Sequence, residues 1–227
     1  MNEYSTPDFE MINKEVAESI STLRRHGLNI NIGSDFLKKL DPYFLFDGDD
    51  GLFKSILPSV KNYFEYGCGK STEYVYKNTT ANIYAVDTSK EWVGKVRNIA
   101  NDNQVQRLHV NWVDVGELGD WGTPVSFAKR ANFIQYANSP WNSGVAPDLI
   151  LIDGRFRVYC FLTSVYNAPL GTKILFDDYM NRPEYHVAEE FLDIREICGR
   201  QALFVVNEIA KKSVTQEVVD EFKNVVG

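Results

Sequence analysis

Beyond position 61 the chain alternates short, almost wholly apolar runs with stretches in which apolar residues return every three or four positions. The runs at 63–66, 83–87, 108–114, 149–153 and 173–177 are short and rich in β-branched and aromatic residues, as strands buried on both faces are. The stretches from 71, over 91–100 and over 158–167 have helical spacing. Strand and helix in alternation predict βαβ units, and so an α/β fold with a doubly wound, mostly parallel sheet covered on both faces. A further helix is expected over 184–192. After it, the segments 194–198 and 202–206 flank Gly199-Arg200, the spacing of a hairpin that closes the sheet as an antiparallel edge.

Ahead of this core, Met11, Ile12, Val16, Ile20 and Leu23 keep helical spacing across 8–26, and Gly27 supplies a C-cap. Shorter helices are expected over 34–40 and 49–57. The organisation read from this is an N-terminal helical cap over 1–60, an α/β core over 61–210 and a C-terminal helix within 211–227. In that last segment Val218, Val219, Phe222 and Val225 are helically spaced. The stretch 116–147, relatively rich in Gly, Pro and Ser, interrupts the core as an insertion. Its Trp121, Phe127, Phe133, Tyr136 and Trp141 are expected either to line a pocket or to form a small core of their own.

With 227 residues, 44% of them hydrophobic, the chain suits one large domain with terminal additions. A net charge of −7 offers no long-range attraction to phosphate backbones or anionic lipid, which disfavours nucleic acid and membrane as partners. No apolar stretch approaches the roughly 20 residues that span a bilayer, and no signal peptide is read at the start. Cys68, Cys160 and Cys198 are odd in number and far apart, against a disulfide framework or a zinc cluster. A cytoplasmic location is the expectation.

Carboxylates stand at the ends of the five expected parallel strands: Glu65, Asp87, Asp114, Asp153 and the pair Asp177-Asp178. Ligands of open α/β sheets bind outside these ends, where strand order reverses. The first strand runs into Gly67-Cys68-Gly69-Lys70-Ser71-Thr72. Its two glycines permit a tight turn and close approach to a ligand, and Ser71 and Thr72 can cap the next helix so that its N–H groups face the site. A P-loop would need glycine where Phe64 stands, and a dinucleotide fingerprint would need it at Thr72. What remains is an acid ending strand one, a G-x-G loop, and Asp87 about 20 residues further on, where a carboxylate accepts hydrogen bonds from ribose hydroxyls.

In these residues the chain resembles the class I S-adenosylmethionine-dependent methyltransferases, over about 62–206. The resemblance implies that Glu65, Gly67, Gly69 and Ser71 lie near the methionine part of the cofactor. It also implies that Asp87 holds the ribose, that Asp114 lies near adenine, and that Asp153 orients or deprotonates the acceptor. The chain departs from the commonest pattern in having Glu65 and Lys70. The stretch Asp177-Asp178-Tyr179 is similar to metal-dependent O-methyltransferases, which implies Mg2+ held by Asp153, Asp177 and Asp178. Arg155 and Arg157 are expected either to bind a carboxylate or phosphate on the acceptor or to pair with these acids. His186 is a candidate base, His26 and His109 are structural, and Cys68 is a packing residue. The expected function is methyl transfer to an oxygen or nitrogen of a small polar acceptor, with the N-terminal helices expected either to cover the cofactor or to mediate a homodimer. The alternatives are a cofactor-binding domain without transfer activity and a nucleotide-dependent enzyme using Gly69-Lys70-Ser71.

Overall fold

The computed structural model describes residues 44–100 and 105–226, together with Val16, Ser19, Ile20, Thr22 and Leu23, which are helical. The rest of the helix expected over 8–26, and all of that over 34–40, lie outside the described residues. Seven strands form one sheet among the described residues: β1 (Asn62–Tyr66), β2 (Asn82–Asp87), β3 (Leu108–Trp112), β4 (Leu149–Ile152), β5 (Lys173–Phe176), β6 (Ile194–Cys198) and β7 (Gln201–Val205). Their order is β3-β2-β1-β4-β5-β7-β6. The first five are parallel, and β7 is antiparallel to both β5 and β6. The hairpin therefore inserts its second strand beside β5, and its first strand, β6, ends at the edge running in the common direction. Only β7 is reversed.

Alternate residues of each strand enter opposite cores. Phe64, Tyr66, Ile150, Ile152, Ile174 and Phe176 pack to one side, while Tyr63, Ile83, Ala85, Leu149, Leu151 and Leu175 pack to the other. The second side is covered by α1 (Gly51–Ile56), α2 (Lys70–Asn78) and α3 (Lys90–Arg97). The first is covered by α4 (Ala131–Asn138), α5 (Arg157–Asn167), α6 (Glu208–Ser213) and α7 (Gln216–Glu221). Side-chain caps begin three of these helices: Ser89 accepts from Trp92 N, Asn207 from Ala210 N and Thr215 from Val218 N.

The helix expected over 184–192 is a 3-10 helix, Pro183–Glu190. Tyr185 and Ala188 are buried and Phe191 is partly buried against the same core, a three-residue repeat that suits three residues per turn better than 3.6. The 116–147 stretch carries α4 and two short 3-10 turns. Its aromatics divide: Phe133 and Tyr136 join the core, Trp141 packs edge-on against Phe64, and Phe127 and Trp121 are exposed. No described helix is long and apolar enough to cross a membrane.

Candidate active site

Strand order reverses between β1 and β4, and a cleft opens beyond their carboxyl ends. Its floor is a crossing of two backbones. Gly67, with φ +92°, follows β1, and Gly154 follows β4. A Cβ on Gly67 would lie 2.6 Å from Gly154 Cα, and one on Gly154 would lie 2.7 Å from Gly67 N. Neither position has room for a side chain. Above the crossing the cleft encloses about 1110 Å³.

On the β2 side, Asp87 Oδ2 accepts from Cys68 N at 2.9 Å and Oδ1 from Ser89 N at 2.6 Å. Two backbone donors thus fix the carboxylate in the cleft wall, and each oxygen keeps a lone pair for a ligand. Burial raises its pKa against the pull of those donors. Gly69 also lines the cleft, and a Cβ there would meet nothing within 4 Å. The protein itself does not demand glycine at 69, so the bare face suits a ligand lying against it. Cys68 is buried, and burial and then Asp87 push its thiol well up, as befits a packing residue.

Glu65 stands behind the loop, fully buried, and does not line the cleft. The Ser71 hydroxyl donates to its Oε1 in a short hydrogen bond, and Oε2 has no partner. Burial pushes its pKa up to about 8. Glu65 reaches the cleft only through Ser71, which does line it.

Asp114 is not in the cleft wall. It is half-exposed and bound to Lys129 at 2.5 Å and to Gly116 N at 3.0 Å, so an insertion lysine draws it away. That side of the cleft is built instead from Thr88 and the turn at 119–123. Thr88 donates to Gly122 O at 3.0 Å, and the φ of +75° at Gly122 would put a Cβ 2.8 Å from Thr88 Oγ1. In this pinned turn Trp121 has φ +57° and is 90% exposed, lining the cleft.

On the β4 side, Asp153, Asp177 and Asp178 do come together, with one oxygen of each within 4.8 Å of the others. Two guanidiniums bridge them. Arg157 contacts Asp153 at 3.2 Å and Asp178 at 3.3 Å, and it donates to the backbone oxygens of Gly154, Asp153 and Asp177. Arg200 donates to both oxygens of the fully buried Asp177 at 3.1 and 2.7 Å and lies 3.3 Å from Asp178; Gln201 adds a bond to Asp177 at 2.9 Å. Two guanidiniums already occupy this donor set and its most buried acid is fully engaged, so it does not fit Mg2+, which wants free carboxylate oxygens and several waters. Burial and then Asp177 raise the pKa of Asp153, the most open of these three acids. Burial works against the charge of Arg200, but Asp177 and Asp178 outweigh it and raise that pKa. Arg157 thus follows the acid-pairing expectation, while Arg155 has no acid of the described residues within ion-pair distance.

Sequence reasoning missed Arg200, Arg182, Thr88 and the segment 44–47 as parts of the wall. Arg200 sits in the hairpin turn, and it ties that segment down by donating to Asp47 at 2.8 Å while its N–H donates to Asp49. An arginine in a two-residue turn is one of many surface arginines until the turn is placed against β5. His186 is turned from the cleft, its Nε2 3.1 Å from Tyr179 O and its ring against Tyr179. His109 stacks on Tyr84 at 4.8 Å, and His26 lies outside the described residues.

A sheet in this order, a glycine loop after β1 and a fixed carboxylate after β2 define a Rossmann-like nucleoside-binding fold. The chain belongs to the class I S-adenosylmethionine-dependent methyltransferases, a family of enzymes. A methyltransferase-like protein from Silicibacter pomeroyi shares 30% identity with it, over 76% of this chain and 92% of that one, with a TM-score of 0.64. The N-methyltransferase NodS from Bradyrhizobium japonicum, a complex with S-adenosylhomocysteine, shares 14% identity over 83% of this chain and 98% of its own, with a TM-score of 0.48. An O-methyltransferase family protein from Burkholderia thailandensis shares 10%, over 89% and 73%, with a TM-score of 0.40. No protein-family model and no curated protein matches the chain.

Proposed function

We propose that the protein transfers the methyl group of S-adenosylmethionine to an oxygen or nitrogen of a small polar acceptor. The observation that carries this reading is that one cleft is lined by the fixed Asp87 carboxylate, the open face of Gly69 and the partly exposed Asp153. The residues fit the cofactor: Asp87 accepts from ribose hydroxyls, Thr88 and Trp121 flank the base, and the Gly67–Gly69 backbone with Ser71 meets the amino-acid part. The cofactor supplies a methyl group on a positively charged sulfur. Asp153 orients the acceptor's O–H or N–H and takes its proton where the acceptor arrives protonated. Most of the rate then comes from positioning.

Calorimetric titration with S-adenosylmethionine and S-adenosylhomocysteine tests the reading. Micromolar binding is expected, weakened about tenfold or more in Asp87→Ala, since a buried charge-assisted hydrogen-bond acceptor is worth about 1.5–3 kcal/mol. Silence with both ligands, and heat with Mg2+-ATP lost in Lys70→Ala, would overturn it in favour of a nucleotide site at Gly69-Lys70-Ser71.

A further inference from the structure

The chain carries a net charge of −7, yet five cationic side chains line the cleft: Lys70, Arg155, Arg157, Arg182 and Arg200. Arg157 and Arg200 are engaged by Asp153, Asp177 and Asp178, as described. Arg182 meets Asp178 only at 3.7 Å and is 43% exposed. Arg155 differs from all of these. It is half-buried, and no carboxylate of the described residues lies within 4 Å of it. Its one side-chain hydrogen bond runs from Nη1 to the Thr123 hydroxyl at 3.2 Å. A guanidinium has five N–H donors, so most of this fork faces the cleft without a protein acceptor.

The neighbours make this arrangement costly. Arg157 and Arg182 both lie over the Tyr185 ring, at 5.7 and 5.9 Å from its centre, so three guanidiniums crowd one part of the cleft. Burial, and next the charge of Arg157, hold Arg155 below the usual arginine range. Asp87 on the other side feels the charge of Arg155, but no ion pair joins the two. A partly desolvated cation facing like charges is compensated when an anion joins it.

We propose that Arg155, with Arg182 next to it, forms an anion subsite for the acceptor, so that the methylated molecule carries a carboxylate or phosphate beside its nucleophilic oxygen or nitrogen. This rests on the methyl-transfer reading. The planar fork of Arg155 pairs with two oxygens of either anion, and the more exposed Arg182 admits that group from solvent. Asp153, in the same cleft, is left to face the uncharged nucleophile.

The test uses the full chain saturated with S-adenosylhomocysteine, so that the cofactor's own carboxylate is already placed, titrated with inorganic phosphate and with acetate. At least one anion should bind, about tenfold more weakly in Arg155→Gln, with S-adenosylhomocysteine affinity kept within about threefold and with the exposed-strand control Arg195→Gln unchanged. Arg155→Lys keeps the charge but not the fork and should show the same loss if the Gln variant does not fold. Labelled methyl transfer to hydroxyl and amino compounds, each with and without a phosphate or carboxylate, then distinguishes the two anions. Equal anion affinity in wild type and both variants overturns the proposal. So does a tenfold loss of S-adenosylhomocysteine itself in folded Arg155→Lys, which would give the fork to the cofactor's carboxylate. Failure of S-adenosylhomocysteine to bind the wild type overturns the methyl-transfer reading instead, and shows at the first step.

Discussion

Glu65 behaves least like its residue type. Held at about pKa 8 by burial, it is protonated in the folded protein at neutral pH but ionised in the unfolded chain, whose carboxyls titrate near 4.5. Between these values the folded state binds the extra proton, so the residue's contribution to stability falls as pH rises from about 4.5 to about 8 and is flat outside that window. The slope approaches about 1.4 kcal/mol per pH unit. Glu65→Gln should flatten it, which urea melts at a series of pH values would show; parallel curves would remove Glu65 as the cause. Asp153→Asn should lower turnover by about a hundredfold while leaving S-adenosylhomocysteine affinity within about threefold, separating its role from that of Asp87. Asp87, Gly67, Gly69, Ser71 and Asp153 were legible in the sequence because a strand end and a loop spacing locate them in any such sheet. Asp114 was misread because its partner, Lys129, comes from an insertion whose path no periodicity reveals. Glu65 was expected beside the cofactor, and it stands behind the loop with Ser71 between it and the cleft.

Among the elements, the crossing of Gly67 and Gly154 is the least forgiving. Gly154→Ala would drive a methyl group into the Tyr136 hydroxyl, the nearest atom, and into the backbone of Gly67 and Tyr66 at 2.7 and 2.8 Å. Backbone cannot step aside as a side-chain end can, so a loss of about 3 kcal/mol is expected, read as a lower urea midpoint with an unchanged slope. Gly69→Ala, with nothing within 4 Å, supplies the contrast. The first five strands were readable because both faces are buried, leaving apolar runs too short for helices. The 3-10 helix at Pro183–Glu190 was not, because a few apolar residues match a three-residue and a 3.6-residue period almost equally well. The hairpin was readable as a hairpin, but β6 and β7 exchange neighbours in the sheet, and turn chemistry does not encode which strand docks first against β5.

At the scale of the whole molecule, a ligand that fills so large a cleft binds only the folded state. At a hundred times its dissociation constant, S-adenosylhomocysteine should add about 2.7 kcal/mol of stability. For a chain of this length that is a rise in Tm of about 5–10 °C, measurable by calorimetry and cut to about half or less in Asp87→Ala at the same ligand concentration. The alternation of strand and helix led to the correct class of sheet, because right-handed crossovers leave few ways to wind one. It did not lead to the cleft's full boundary, which draws on residues from before β1 and after β5. Arg200 joins those ends, reaching Asp47 across 153 positions and Asp177 across 23. A ribosome that has released the chain as far as Asp178 has already delivered the glycine loop, the Asp87 carboxylate and the three acids. It has yet to deliver Arg200, the side chain that holds Asp47 against Asp177.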